Sequence, residues 1–116
     1  MSQEIEQLIE EFRDASLKHH QATLDGYYKV TNREADRVHR VFLKLRELGP
    51  EAREALIQVA IQGDGADASA AAVYSLKYDA KRALAVLKRI SKDRGILGFE
   101  ASWAIKNWKS GDYHLE

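Results

Sequence analysis

Ile5, Leu8, Ile9 and Phe12 recur at i, i+3, i+4 and i+7, the spacing of a helix with one buried face. The pattern continues through Ala15, Ala22 and Leu24, so a first helix is expected over about 2–25. Gly26 should end it by taking the left-handed conformation that other residues resist. Thr31 followed by Glu34 has the form of a capping box, a hydroxyl and a carboxylate satisfying orphan amides at a helix start. The second helix it predicts turns Ala35, Val38, Val41, Phe42 and Leu45 inward and stops at Gly49. Pro50 suits the first turn of the next helix, where its missing donor costs nothing. Ala52, Ala55, Leu56, Val59 and Ala60 form that third apolar stripe, closed by Gly63-Asp64-Gly65. Asp67 or Ser69 is placed to cap a fourth helix that packs through Ala68, Ala70, Ala71, Ala72 and Leu76. Asp79 caps a fifth, with Ala80, Ala83, Leu84, Leu87 and Ile90 inward and Gly95 at its end. A sixth, roughly 97–109, buries Ala101, Ala104, Ile105 and Trp108. No segment alternates with period two for the length of a strand. The chain reads as all-α.

A weak repeat organises the second half. Ala52, Ala55, Leu56 and Val59 recur as Ala80, Ala83, Leu84 and Leu87; Ala72, Tyr74, Leu76 and Lys77 recur as Ala101, Trp103, Ile105 and Lys106. Helical patterns returning at nearly one period predict stacked helix pairs, each burying its apolar face on a neighbour. At 116 residues the chain is expected to form a single domain. Its expected parts are an N-terminal helical hairpin over 1–49, two short helix pairs over 50–111, and a tail, 112–116. Leu115-Glu116 fit an appended junction as well as native sequence.

Asp67–Tyr78, an acidic start and an alanine-rich helix ending in Tyr-Ser-Leu-Lys-Tyr, resembles the second helix of short HEAT-like repeats, as does Glu100-Ala-Ser-Trp-Ala-Ile. The near-30-residue period is closest to the variety related to phycobilisome-lyase repeats. From the long N-terminal hairpin to Leu97-Gly98-Phe99-Glu100-Ala101 and the later Trp-Lys, the chain also resembles a family of small bacterial proteins of unknown function. The resemblance implies about six helices in antiparallel pairs, forming a short right-handed HEAT-like α-α superhelix. It brings no catalytic residues.

Composition narrows the classes. No cysteine is present, so neither a disulfide frame nor a thiolate site is available. The acidic start lacks an apolar signal core and no run matches a bilayer span, so a cytoplasmic protein is expected, with no membrane partner. Eighteen Lys and Arg balance eighteen Asp and Glu. They are laid out in blocks: acidic to residue 25, basic over 29–48, acidic over 51–79, basic over 81–94. Side-by-side helices of alternating sign complement one another. Two basic stripes, Arg33-Arg37-Arg40-Lys44 and Lys81-Lys88-Lys92, are the features that would serve a polyanion.

Specific chemistry is sparse. His19 and His20 diverge by about 100° on a helix, and His39 and His114 have no ligand spacing around them, so no metal site is expected. Carboxylate pairs such as Glu10 with Asp14 or Glu51 with Glu54 read as solvated faces. No nucleophile elbow or phosphate loop is present. No catalytic residue and no cofactor are therefore assigned. The residues singled out are Tyr74, Lys77 and Tyr78 with Trp103, Lys106 and Asn107, matched across the repeat, where aromatic and cationic side chains suit a partner surface. The alternative role for Tyr74 and Trp103 is packing between layers. The function expected is a non-catalytic protein-binding module or small adaptor, an immunity-type bacterial protein being one version. Nucleic-acid backbone binding through the basic faces is the alternative, and an uncharacterised enzyme the third reading. A monomer or weak homodimer is expected, depending on whether Trp103 and Trp108 are covered.

Overall fold

The computed structural model describes residues 2–111, and among these every regular element is helical. Six helices follow in order: α1 (Gln3–Asp25), α2 (Tyr28–Glu47), α3 (Pro50–Gln62), α4 (Ala66–Ser75), α5 (Ala80–Ile90) and α6 (Ile96–Ser110). The fold is all-α. The expectations for His114 and for the tail 112–116 lie outside the described residues.

Two compact units divide the chain, one up to Leu56 and one from Ile57 onward, so that α3 contributes to both. In the first, Ser2 caps α1 by accepting from the Ile5 N–H at 3.2 Å. Gly26 ends it at φ 75°, with its own N–H reaching back to the Ala22 and Thr23 carbonyls. Helices α1 and α2 then pack together through Ile5, Phe12 and Ala15 on one and Val38, Val41, Phe42 and Leu45 on the other, all buried. Phe12, Phe42 and Leu45 are fully enclosed, and each such side chain contributes roughly 1.5–3 kcal/mol by leaving water. Leu24, expected inward, is 53% exposed, since it lies in the last turn before the chain reverses.

The capping box at Thr31 and Glu34 is not formed. With the chain already turned at Gly26, α2 starts at Tyr28, and the Thr31 N–H donates to the Tyr27 carbonyl inside the first turn. Glu34 is buried instead, and its carboxylate accepts from Arg37 at 2.6 Å and from Arg33 at 3.4 Å.

In the second unit α4, α5 and α6 contact one another, and their buried positions are mostly small: Ala68, Ala71, Ala72, Ala83, Ala101 and Ala104. Short side chains let backbones approach closely, while Leu76, Leu87 and Ile90 supply the bulk. Neither Asp67 nor Ser69 caps α4. Gly65 holds the cap position in extended conformation, and Asp67 sits in the first turn with its carboxylate accepting from the Ala68 N–H. Asp79 does cap α5, accepting from the Arg82 N–H at 3.2 Å.

Helix α5 stops at Ile90 rather than running to Gly95, which instead opens α6. Asp93 accounts for the early stop: its carboxylate accepts from the Gly95 N–H at 2.9 Å, a local turn that competes with helix. Gly98 then passes so close to this turn that a Cβ there would lie 1.8 Å from the Asp93 carbonyl oxygen. Only glycine fits.

Candidate functional site

The last helix carries two apolar stripes. Ala101 and Ala104 are buried, with Gly98 beside them and Leu97, Ile105 and Trp108 half-buried on the same side. Ile96, Phe99 and Trp103 occupy the other side at i, i+3 and i+7, and are 38%, 71% and 55% exposed. At about 100° per residue these three lie within a narrow sector pointing away from the buried face. Lys106 falls in the same sector one turn on, Lys109 beyond it, and Glu100 on the opposite margin, all exposed. Phe99 has no polar atom to compensate its contact with water. An exposed apolar ridge of this kind marks an interaction surface more often than a single scattered hydrophobe does.

Of the six residues singled out in the sequence, Trp103, Lys106 and Asn107 lie on α6 and Tyr74 on α4, while Lys77 and Tyr78 follow in the turn after α4. Trp103 and Lys106 share the exposed face. Asn107 is half-buried, and its amide donates to the Trp103 carbonyl at 2.8 Å on its own helix. Tyr74 and Tyr78 are half-buried and Lys77 is exposed. The repeat partners therefore occupy different settings: α4 ends at Ser75, whereas α6 continues well past Lys106. Ala72 and Ala101, by contrast, are matched and both 0% exposed.

Ile96 and Phe99 were not among the residues the sequence singled out. The signal was present, because α6 has apolar residues nearly all round, more than one buried face can absorb. Leu24, Tyr27 and Tyr28 are exposed about the Gly26 turn, the tyrosines with hydroxyls that suit them to water, and Leu17 is exposed further back on α1.

Two of the four cations of the α2 stripe are engaged from within, and Arg40 and Lys44 are exposed. Arg37 contacts Glu34, Asp14 and Glu11, and Arg33 contacts Glu34. Hydrogen bonds from Arg37 and then Lys18 hold the Asp14 carboxyl below its ordinary range, while Asp14 holds the Arg37 guanidinium above its own. On the second basic block Arg82 is held by Asp79, and Arg89 donates to the Ala60, Ile61 and Gly63 carbonyls at the end of α3.

A cleft of about 410 Å³ in the first unit lies between Leu8 and Leu48, edged by Glu4, Glu11, Glu47 and Lys44. Among the described residues no group of histidines and carboxylates is arranged to hold a metal ion, and no helix is long and apolar enough to cross a membrane. The α6 ridge is thus the feature with the clearest chemistry. Comparison with protein-family models, with curated proteins and with solved structures finds no match, so the assignment of this face rests on its geometry.

Proposed function

We propose that this chain is a non-catalytic protein-binding module of the short HEAT-like kind, holding another protein against the exposed face of α6. The observation that carries the proposal is the alignment of Ile96, Phe99 and Trp103 on the side of α6 opposite its buried residues. Phenylalanine and tryptophan are the side chains that anchor protein interfaces, because each removes a large rigid area from water at small entropic cost. Small-residue packing beneath α6 gives that ridge a firm backing. An adaptor or immunity-type role in a bacterial cell is the concrete version, and an adjacent toxin-like reading frame would support it.

The test is affinity capture from the source cell with the wild type and with Phe99→Ser/Trp103→Ser. Phe99 is the more exposed of the two, and Trp103→Ser also gives up the covered part of its ring, so a circular dichroism spectrum of the double variant establishes first that it is folded. A partner retained by the wild type and lost by the double variant supports the proposal. Identical capture by both proteins, or no specific partner for either, defeats it.

A further inference from the structure

The charge around the α6 ridge specifies the partner further. The whole chain is neutral, yet residues 57–116 carry nine Lys and Arg against seven Asp and Glu, a net of +2. Three of those acids have internal work. Asp67 is buried and accepts from the Ala68 N–H, Asp79 holds Arg82, and Asp93 accepts from the Gly95 N–H. Arg82 and Arg89 are engaged internally, and the other seven cations are exposed. Lys106 stands in the sector of Phe99 and Trp103, with Lys109 beside it and Glu100 as the one acid of the helix.

Resting on the protein-binding reading above, we infer that the α6 face docks an acidic amphipathic helix of another protein. The spacing i, i+3, i+7 is that of a seam between two helices, where side chains from one fit between those of the other. The partner's apolar stripe covers Ile96, Phe99 and Trp103, and its carboxylates meet Lys106 and Lys109. Such pairing raises the rate of encounter and sets orientation as well as adding affinity.

A second copy fits less well. Both copies would bring a lysine margin to the contact, and like charges set together repel. Nucleic acid fits less well too, because a polyanion is held by many phosphate contacts, and the α6 face offers two lysines beside three apolar side chains.

The experiment uses two labelled synthetic helical peptides with the same leucine stripe, one flanked by glutamates and one by lysines, and a labelled oligothymidylate. Binding to the full chain is read by fluorescence anisotropy. The glutamate peptide is expected to bind at least about tenfold more tightly than the lysine peptide, and to weaken with added salt. Lys106→Glu/Lys109→Glu should reverse the preference. Phe99→Ser should abolish binding with a circular dichroism melt close to the wild type, and Trp103→Ser should abolish it while the chain stays helical. Equal binding of the two peptides, lost in Phe99→Ser, overturns the acidic partner and leaves the protein-binding face standing. Binding of neither peptide overturns it as well, the affinity capture then deciding the broader reading. Oligothymidylate bound more tightly than either peptide overturns both. A dimer seen by light scattering and dissolved by Phe99→Ser overturns the inference in favour of a second copy.

Discussion

Replacing Arg89 by methionine removes the guanidinium but keeps an apolar stem, and so isolates the cap placed on the end of α3. Arg89 Nη1 donates to Ile61 O at 3.2 Å and Nη2 to Ala60 O at 3.1 Å, with Gly63 O as the third acceptor. The contacts to Ile61 and Gly63 are exposed, and water replaces the donor there at little cost. The Ala60 contact is partly buried, and a charged donor in that setting contributes about 1.5 kcal/mol. A cation at a helix C-terminus adds roughly 0.5 kcal/mol. The expected loss is therefore about 2 kcal/mol. With a urea m-value of about 1.5 kcal/mol/M, the unfolding midpoint falls by about 1.3 M. Arg89→Lys, a point charge that serves fewer carbonyls at once, should recover about half of this. Lys88→Met, an exposed neighbour on α5, should shift the midpoint by about 0.3 M or less. Urea unfolding followed by far-ultraviolet circular dichroism makes the comparison. If Arg89→Met and Lys88→Met coincide, the guanidinium does not stabilise the end of α3 and the reasoning fails.

Gly98→Ala should lower stability by about 2 kcal/mol despite alanine's better helix propensity, because the added carbon meets the Asp93 backbone; a thermal melt that rises instead would contradict it. Ala72→Leu and Ala101→Leu overpack positions that are 0% exposed and should each cost about 1–3 kcal/mol, against about 0.5 kcal/mol or less for Lys88→Leu or Lys92→Leu. Equal effects in urea melts would mean that the helix phasing is wrong. For Asp14 the folded pKa lies below the usual 3.8, so its charge stabilises the fold above that pH and the contribution fades as pH falls through the folded value. Asp14→Asn should therefore be the less stable protein at neutral pH, with the gap closing below about pH 4; a gap that persists in acid would refute the Arg37–Asp14 pairing as its source.

Where a local rule faced no competitor, the sequence was readable. Gly26, Pro50 and Asp79 act where their backbone preferences put them, and Val38, Val41, Phe42 and Leu45 turn inward together. Thr31 and Glu34 misled because a capping box also matches an ordinary first turn followed by an acid, and Glu34 finds stronger partners in two arginines. Gly95 misled because its extended conformation serves a helix start, while Asp93 has already broken the helix before it. The candidate site was half legible. Trp103 and Lys106 stood out through the repeat, but Phe99 and Ile96 share the period of a buried stripe, and periodicity alone does not say which of two stripes faces water. Only packing decides that.

Arg37, reaching from α2 to Glu11 and Asp14 on α1, has a consequence for register. The apolar seam of α1 and α2 is non-directional, and charge adds a second constraint on its alignment. Arg37 sits between Glu11 and Asp14, while Lys18 lies one turn beyond Asp14. A slide in one direction sets Arg37 beside Lys18, and a slide in the other carries it away from Asp14. The apolar seam makes the two helices adhere; the arginine favours one alignment over its neighbours.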